Sequence, residues 1–321
     1  MNPLTTQLPG SWLAGLKQRN ELFDTLFYDV DALSQAEKDA LSPMAEQESS
    51  LIVVPPTGAN REIAHFYGLD AFLEGKDSSG TPLKDGLRIV ALAGVGSSVL
   101  GTAALARNVA DVYGEDVLGI VTGYGAADML EEAMGGWFFY GAIDQADHMM
   151  RKTAQFWQET AQAWREMLTP QSKQMRARGL AAPAPTEIKT PHHRKRYTDV
   201  EELIRMLEEG HLPQLEMLVG HSKGSLLIDF AVETLVDSDS VNKDAYFDKL
   251  KLVTFGAVTD LPSQFEHRYQ FIGSLDSFGG MNSRLDVPHE TVDGAWHHLN
   301  EKLPFHMPLK KVLAQHVPLA P

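Results

Sequence analysis

A glycine-rich turn between an apolar run and a helical pattern constrains the fold of this chain more than any other stretch of its sequence. The turn reads Gly-His-Ser-Lys-Gly over residues 220–224; a mostly apolar run, residues 215–219, precedes it, and a helical pattern, residues 225–230, follows it. A Gly-x-Ser-x-Gly motif in this context predicts a nucleophile elbow, which lifts the hydroxyl of Ser222 clear of the sheet edge. A side chain at either glycine would collide with the strand or the helix. The alternative interpretation is an ordinary glycine-rich turn.

The composition of the chain bounds the class of protein. Its 321 residues carry a net charge of −15, which argues against a general nucleic-acid-binding protein. The hydrophobic content of 43% is enough for a large core, and no run of about 18 apolar residues predicts a membrane span. The absence of cysteine excludes disulfides, a thiol nucleophile and thiolate metal ligands. Residues 1–16 lack a secretory leader pattern, so we expect a cytoplasmic protein.

Residues 87–122 predict a strand–helix–strand unit of a parallel sheet. The apolar runs at residues 87–93 and 116–122 predict the two strands, and residues 99–113 predict the helix between them. We therefore expect an α/β fold, with a mostly parallel central sheet and helices on both of its faces.

The loop after the first of these strands carries Gly94 and Gly96. It lacks the third glycine of a dinucleotide-binding fingerprint, because that position is Val99. Small residues suit an oxyanion loop instead, since its N–H groups must approach a developing negative charge closely. We expect the oxyanion hole to combine the backbone N–H of Lys223, directly after the serine, with that of Val95 or Gly96. The side chain of Lys223 is expected to face solvent.

The chain is expected to consist of a core with two additions. Residues 1–50 predict a helical arm that packs over the core. Residues 51–124 and 199–321 predict the α/β core, including a helix over residues 61–73. Residues 125–198 interrupt the alternation of strands and helices and are too long for a simple connection. We interpret them as a helical, lid-like insertion with a flexible, basic, proline-containing loop.

Four aromatic residues in this insertion are candidate substrate-binding residues: Trp137, Phe138, Phe139 and Tyr140. A flexible apolar surface suits varied hydrophobic ligands, and a lid carrying it would line an acyl pocket. The alternative is an insertion that only packs its aromatic residues. The basic run at residues 192–196 predicts a solvated loop, and its histidines lack further ligands at a suitable spacing, so no metal site is expected there.

A serine nucleophile needs a base within reach, and the base needs an orienting carboxylate. With this type of elbow the chain order is serine, acid, histidine, which restricts the search to later residues. Asp276 follows the predicted strand of residues 269–274 and is our candidate acid, with Asp260 as the alternative. The base is expected on a loop between the acid and the last helix. His306 is our candidate there, and His298 is the alternative.

Two stretches of the sequence resemble signatures of a known superfamily. Residues 219–225 and 252–257 are similar to the elbow and the following strand of the α/β-hydrolase superfamily, and within it of the class-3 lipase-like group. The resemblance covers residues 87–124 and 199–315. It implies an α/β-hydrolase fold and the hydrolysis of acyl esters through a covalent acyl-serine, without a cofactor.

These features together predict a serine hydrolase acting on carboxylic esters of apolar acyl groups. Such an esterase or lipase binds a small ester or lipid molecule, and transient contact with a lipid interface is compatible with it. Thioesterases, polyester depolymerases and acyltransferases use the same machinery, and the sequence does not separate them because the pocket makes that selection. A binding protein that keeps the fold without catalysis is the non-enzymatic alternative. No nucleic-acid partner is expected.

Overall fold

The computed structural model describes four ranges of the chain, residues 24–42, 50–94, 97–122 and 198–319. These ranges belong to one unit, which residues 1–129 and 196–321 form together. The predicted insertion, residues 125–198, lies outside the described residues apart from Thr198. Within the four ranges, no helix is long and apolar enough to cross a membrane.

An eight-stranded sheet forms the centre of the described structure. Its strands are β1 (Ser50–Val54), β2 (Ala64–Tyr67), β3 (Ile89–Leu92), β4 (Val117–Ile120), β5 (Met217–His221), β6 (Lys251–Phe255), β7 (Arg268–Gly273) and β8 (Glu290–Val292). Their order in the sheet is β2-β1-β4-β3-β5-β6-β7-β8. The strands from β4 to β8 in this order pair in parallel, whereas β1 pairs antiparallel with β2 and with β4. The prediction of a mostly parallel sheet is confirmed.

Helices cover the two faces of this sheet. They are α1 (Gln35–Leu41), α2 (Leu69–Leu73), α3 (Val99–Tyr113), α4 (Thr198–Glu208), α5 (Lys223–Asp237), α6 (Asp244–Phe247), α7 (Ser277–Met281) and α8 (Leu309–His316). Buried residues of α3 and α8 join one apolar cluster, and those of α2, α4 and α5 join a second. Helices on both faces of a parallel sheet define an α/β fold, as predicted.

The side chains of the central strands alternate between these two clusters. In β3, Ile89 and Ala91 belong to the first cluster, and Val90 and Leu92 belong to the second. Because both faces are covered, all four residues are buried, with no exposed surface. This double burial explains why the strand reads as a continuous apolar run rather than as an alternating pattern.

The segment predicted as one helix over residues 61–73 is divided instead between β2 and α2. Gly68, with φ 82°, separates the two elements. The backbone of β2 pairs with β1, and Phe66 of β2 packs edge-on against Phe72 of α2 with ring centroids 5.7 Å apart. The helix prediction is therefore wrong, because a glycine at positive φ breaks the segment and strand pairing satisfies its first half. Ser50, the last residue of the predicted arm, begins β1.

Candidate active site

Ser222 lies between the end of β5 and the start of α5. Its φ of 55° and ψ of −119° are outside the regions that L-residues usually adopt. The residue is almost fully buried, and its N–H donates to the carbonyl oxygen of Phe255 in β6 over 2.8 Å. The strand–turn–helix geometry expected for this turn is present.

The two glycines that flank the serine make the turn sterically feasible. A Cβ placed on Gly220 would lie 2.7 Å from the backbone nitrogen of Ser225. A Cβ placed on Gly224 would lie 2.1 Å from the carbonyl oxygen of Leu92, at the end of β3. Neither contact is sterically tolerable, so both positions require glycine, and α5 can begin directly against β3.

A histidine and an aspartate extend from Ser222 in a chain of hydrogen bonds. Nε2 of His297 lies 2.9 Å from Oγ of Ser222, and Nδ1 of His297 lies 2.8 Å from Oδ2 of Asp276. The carboxylate can only accept, so it selects the neutral tautomer with the proton on Nδ1. Nε2 then accepts from the serine hydroxyl. This is the geometry of an activated nucleophile, its base and the group that orients the base.

Asp276 is held in place by the start of α7. It caps this helix, and its Oδ1 accepts from the N–H of Gly279 over 2.6 Å. A Cβ on Gly279 would lie 2.5 Å from Oδ2 of Asp276, so the glycine leaves room for the carboxylate. The side chain of Asp276 has 0% exposure, and that of His297 has 2%. Both groups are therefore withdrawn from water and fixed by the protein.

The imidazole of His297 is enclosed by aromatic edges and by a glycine. Phe278 and Phe27 contact it edge-on, with ring centroids 4.7 Å and 6.0 Å away. Gly256, at the end of β6 with φ 68°, faces the ring, and a Cβ there would lie 2.9 Å from Cε1 of His297. Packing from three sides restricts the ring to the orientation that reaches both the serine and the aspartate.

The prediction of His306 as the partner of Ser222 is wrong, and so is the alternative, His298. Nδ1 of His306 lies 3.3 Å from the carbonyl oxygen of Leu303. Nε2 of His298 donates to the carbonyl oxygen of Pro304 over 3.0 Å. Both histidines thus bond to the backbone of their own loop, and the neighbouring residue, His297, contacts the serine.

A short strand is the signal that would have led to His297. Ser222 and Asp276 each follow the carboxyl end of a parallel strand, and His297 follows β8 in the same manner. The three residues of β8, Glu290–Val292, are mostly exposed and carry no apolar pattern, so the sequence gives little indication of a strand. Because β8 is not predicted, the choice of base rests on position between the acid and the last helix, and that position favours His306.

The alternative acid, Asp260, lies away from this cluster. Its side chain is 64% exposed and forms an ion pair with Arg284 at 3.4 Å. Of the two acids considered, the structure brings only Asp276 into contact with a histidine that also contacts Ser222.

The expected oxyanion donors are described only in part. Lys223 is the first residue of α5, so its backbone N–H lies at the positive end of the helix dipole, beside Ser222. Gly94 approaches the serine closely, because a Cβ there would lie 3.0 Å from Cβ of Ser222. Val95 and Gly96 lie outside the described residues, as do the candidate substrate-binding residues Trp137, Phe138, Phe139 and Tyr140.

The side chain of Lys223 is buried, in contrast to the expectation that it faces solvent. The residue is 5% exposed, and its Nζ donates to the carbonyl oxygen of Thr122, just beyond β4, over 3.1 Å. This hydrogen bond offsets part of the free-energy cost of burying the ammonium group.

Two further buried groups next to the site have strongly shifted pKa values. Burial, with a smaller contribution from the neighbouring His297, lowers the pKa of His221 to about 3. Burial raises the pKa of Asp24 to about 7, although hydrogen bonds from Ser98 oppose the shift. His221 is therefore neutral near pH 7, and Asp24 titrates there.

No group of three or more His, Asp and Glu residues in the described ranges could hold a metal ion. No protein-family model matches the chain, and no curated protein sequence matches it significantly. The arrangement of Ser222, His297 and Asp276 is thus the basis for a proposal of function.

Proposed function

We propose that this chain is a serine hydrolase that cleaves carboxylic esters of apolar acyl groups through an acyl-serine intermediate. The observation that carries the proposal is the hydrogen-bonded series from Ser222 through His297 to Asp276, with distances of 2.9 Å and 2.8 Å. The chain order of serine, acid and histidine is that of α/β-hydrolases, and we propose an α/β-hydrolase fold similar to the class-3 lipase-like group.

The first half of the proposed reaction forms the acyl-enzyme. Nε2 of His297 takes the proton of the Ser222 hydroxyl as Oγ attacks the ester carbonyl, which gives a tetrahedral oxyanion. Asp276 stabilises the imidazolium that results. Backbone N–H groups, that of Lys223 and one from the loop at residues 95–96, hold the oxyanion. The intermediate collapses when His297 returns the proton to the leaving alcohol and the ester C–O bond breaks.

The second half repeats these steps with water as the nucleophile. His297 takes a proton from a water molecule as that water attacks the acyl-serine carbonyl. Collapse of the second tetrahedral intermediate breaks the bond to Ser222 Oγ, which receives the proton from His297. The products are a carboxylic acid and the regenerated serine, and the protein groups return to their starting protonation states.

Backbone strain favours a catalytic role over a binding protein that only keeps the fold. A residue held in a rare conformation such as that of Ser222 costs about 1–3 kcal/mol, and such strain is concentrated at functional sites. A purely structural turn at this position would gain from relaxing it. The substrate pocket, rather than the triad, selects the leaving group, whether alcohol, thiol or polymer chain. The aromatic residues at 137–140 remain our candidates for the acyl pocket.

A fluorophosphonate probe tests the proposal directly. We expect covalent labelling of the chain at Ser222 and its loss in Ser222→Ala. Ser225→Ala is the matched control, because Ser225 is also buried in the elbow but donates to the Phe255 carbonyl oxygen at 3.3 Å. Labelling that persists in Ser222→Ala would refute the assignment of the nucleophile.

A substrate panel then identifies the class of ester. p-Nitrophenyl esters and acyl-CoA thioesters of increasing chain length separate esterase, lipase and thioesterase activity. We expect turnover of p-nitrophenyl esters with apolar acyl groups. Labelling without turnover of any member would instead favour an acyltransferase or a polyester depolymerase.

A further inference from the structure

A short segment near the start of the described chain contacts the site at several points. This segment, residues 24–28, which we call the N-terminal turn, contains one helical turn followed by Tyr28. The backbone N–H of Leu299 donates to the carbonyl oxygen of Phe27 over 2.7 Å, and the side-chain amide of Asn300 donates to that of Thr25. The N-terminal turn is thereby bound to the loop that carries His297.

Tyr28 extends this contact into the site through its hydroxyl group. The N–H of Gly94 donates to the Tyr28 hydroxyl oxygen over 2.6 Å, and the same oxygen lies 2.9 Å from Nδ1 of His221. Nε2 of His221 lies 2.8 Å from the backbone carbonyl oxygen of His297. One buried series of hydrogen bonds therefore joins the start of the oxyanion loop, the residue before the nucleophile and the backbone of the base.

The direction of each hydrogen bond in this series follows from its partners. The His297 carbonyl can only accept, so Nε2 of His221 carries a proton and donates it. His221 is neutral, so its Nδ1 accepts the hydroxyl proton of Tyr28. The hydroxyl oxygen of Tyr28 in turn accepts from Gly94. The His297 carbonyl thus fixes the tautomer of His221, with the proton on Nε2.

A neutral His221 is also what the neighbouring base requires. The rings of His221 and His297 are 5.0 Å apart, so a charged His221 would oppose the imidazolium that His297 forms during the proposed reaction. Burial keeps His221 neutral, and the Tyr28 hydroxyl lies against its unprotonated Nδ1.

We propose that Tyr28 and His221 are positioning residues, which set the place of His297 through its carbonyl group and the place of the oxyanion loop through the Gly94 amide. This inference rests on the proposed function. It extends that function to the N-terminal turn, because the Tyr28 hydroxyl contacts Gly94, which lies close to Ser222, and His221, which precedes Ser222 in the chain. Small displacements at such positions are costly, since a misplacement of about 1 Å can reduce a rate about 10²-fold.

Tyr28→Phe tests the inference, with Tyr113→Phe as its matched control. Both changes remove one hydroxyl group from a largely buried tyrosine. That of Tyr113 donates to the Val317 carbonyl oxygen over 2.8 Å, and Tyr113 is the last residue of α3, at the opposite end of this helix from Ser98. For Tyr28→Phe we expect kcat to fall about tenfold or more with KM within about twofold. For Tyr113→Phe we expect a lower thermal midpoint and an unchanged kcat.

Two variants of His221 keep the test decisive even if Tyr28→Phe does not fold. Glutamine places an amide N–H near the position of Nε2 and keeps a donor for the His297 carbonyl, whereas asparagine reaches only to the position of Nδ1. We therefore expect His221→Gln to retain about tenfold more kcat than His221→Asn. A merely structural role predicts equal kcat for these two variants once both are folded.

The rate of fluorophosphonate labelling separates the possible outcomes. A wild-type chain that neither reacts with the probe nor turns over any ester would overturn the proposed function and this inference together. A reactive wild type with equal labelling rates in Tyr28→Phe and Tyr113→Phe would overturn the inference alone, and so would equal kcat in the two His221 variants. Slower labelling in Tyr28→Phe, with wild-type rates in the control, would support it.

Discussion

Substituting His297 and His306 separately tests which of the two histidines is the base for Ser222. His297→Ala should lower kcat for a p-nitrophenyl ester by about 10³-fold or more, because Ser222 then lacks a group to accept its proton. His306→Ala should change kcat by less than about twofold, because His306 bonds only to its own loop in the described structure. Steady-state kinetics on the two folded variants decide between them, and a larger loss in His306→Ala would contradict the geometry.

Asp276 offers a second comparison between two aspartates of different surroundings. Asp276→Asn keeps the size of the side chain but presents an amide to Nδ1 of His297, which no longer favours the productive tautomer. We expect a loss in kcat of up to about 10⁴-fold with little change in KM. Asp260→Asn, at a largely exposed site, should leave kcat within about twofold. Similar kinetics for both variants would contradict the proposed role of Asp276 in orienting and stabilising His297.

The sequence predicts site residues that lie beside a recognisable motif or strand end, and it does not predict contacts between residues far apart in the chain. Ser222 and Asp276 are recognisable because a motif and a strand end lie next to them in the chain. The contact of Tyr28 with His221 joins residues far apart in sequence, and no pattern around either residue indicates it. The sequence does not distinguish His297 from the adjacent His298, because the backbone conformation decides which of the two side chains points toward Ser222.

The first turn of α5 packs directly against the end of β3, and Gly224 makes this close contact possible. Gly224→Ala would place a methyl group 2.1 Å from the Leu92 carbonyl oxygen, so the helix must move away from β3. We expect a loss in unfolding free energy of about 2 kcal/mol or more, together with slower probe labelling. Gly86→Ala is the control, because no atom lies within 4 Å of a Cβ there, and its stability should change by less than about 1 kcal/mol. Denaturant titrations measure both, and equal stabilities would contradict the packing described here.

Elements with strong apolar patterns are predicted well from the sequence, and weakly patterned ones are not. The strands of the parallel centre and α3 fall close to their expected bounds, because burial on both faces produces a continuous apolar signal. β2 and β8 lie at the two edges of the sheet and are only partly buried or exposed. An edge strand is stabilised mainly by backbone pairing with its neighbour, so its own side chains show little apolar pattern.

The pH dependence of stability belongs to the whole molecule, because two buried groups act on it in opposite directions. His221 has a folded pKa of about 3 against 6.5 for the free group. Between these values only the unfolded chain binds the proton, so this group makes stability rise with pH. Asp24 has a folded pKa of about 7 against 3.8, and between these values only the folded chain binds the proton. Its contribution to stability therefore falls as pH rises.

We expect these two contributions to cancel largely between pH 3.8 and 6.5, and single substitutions to reveal them. Asp24→Asn removes the contribution that opposes His221 in this pair, so the unfolding free energy should rise with pH more steeply than in the wild type, by up to about 1.4 kcal/mol per pH unit. His221→Gln should show the opposite difference. Urea titrations across this pH window measure both slopes. Variants whose unfolding free energy changes with pH at the same slope as that of the wild type would contradict the shifted pKa values of Asp24 and His221.

The proposed triad is assembled from points that are far apart along the chain, and this has a consequence for biosynthesis. On the ribosome, the residues of the elbow emerge well before the loop that carries His297. A growing chain would thus display the serine without its proton acceptor, and it would be chemically inert toward esters. Reactivity of the proposed site would arise only when β8 has docked in the sheet and the loop that carries His297 is in place.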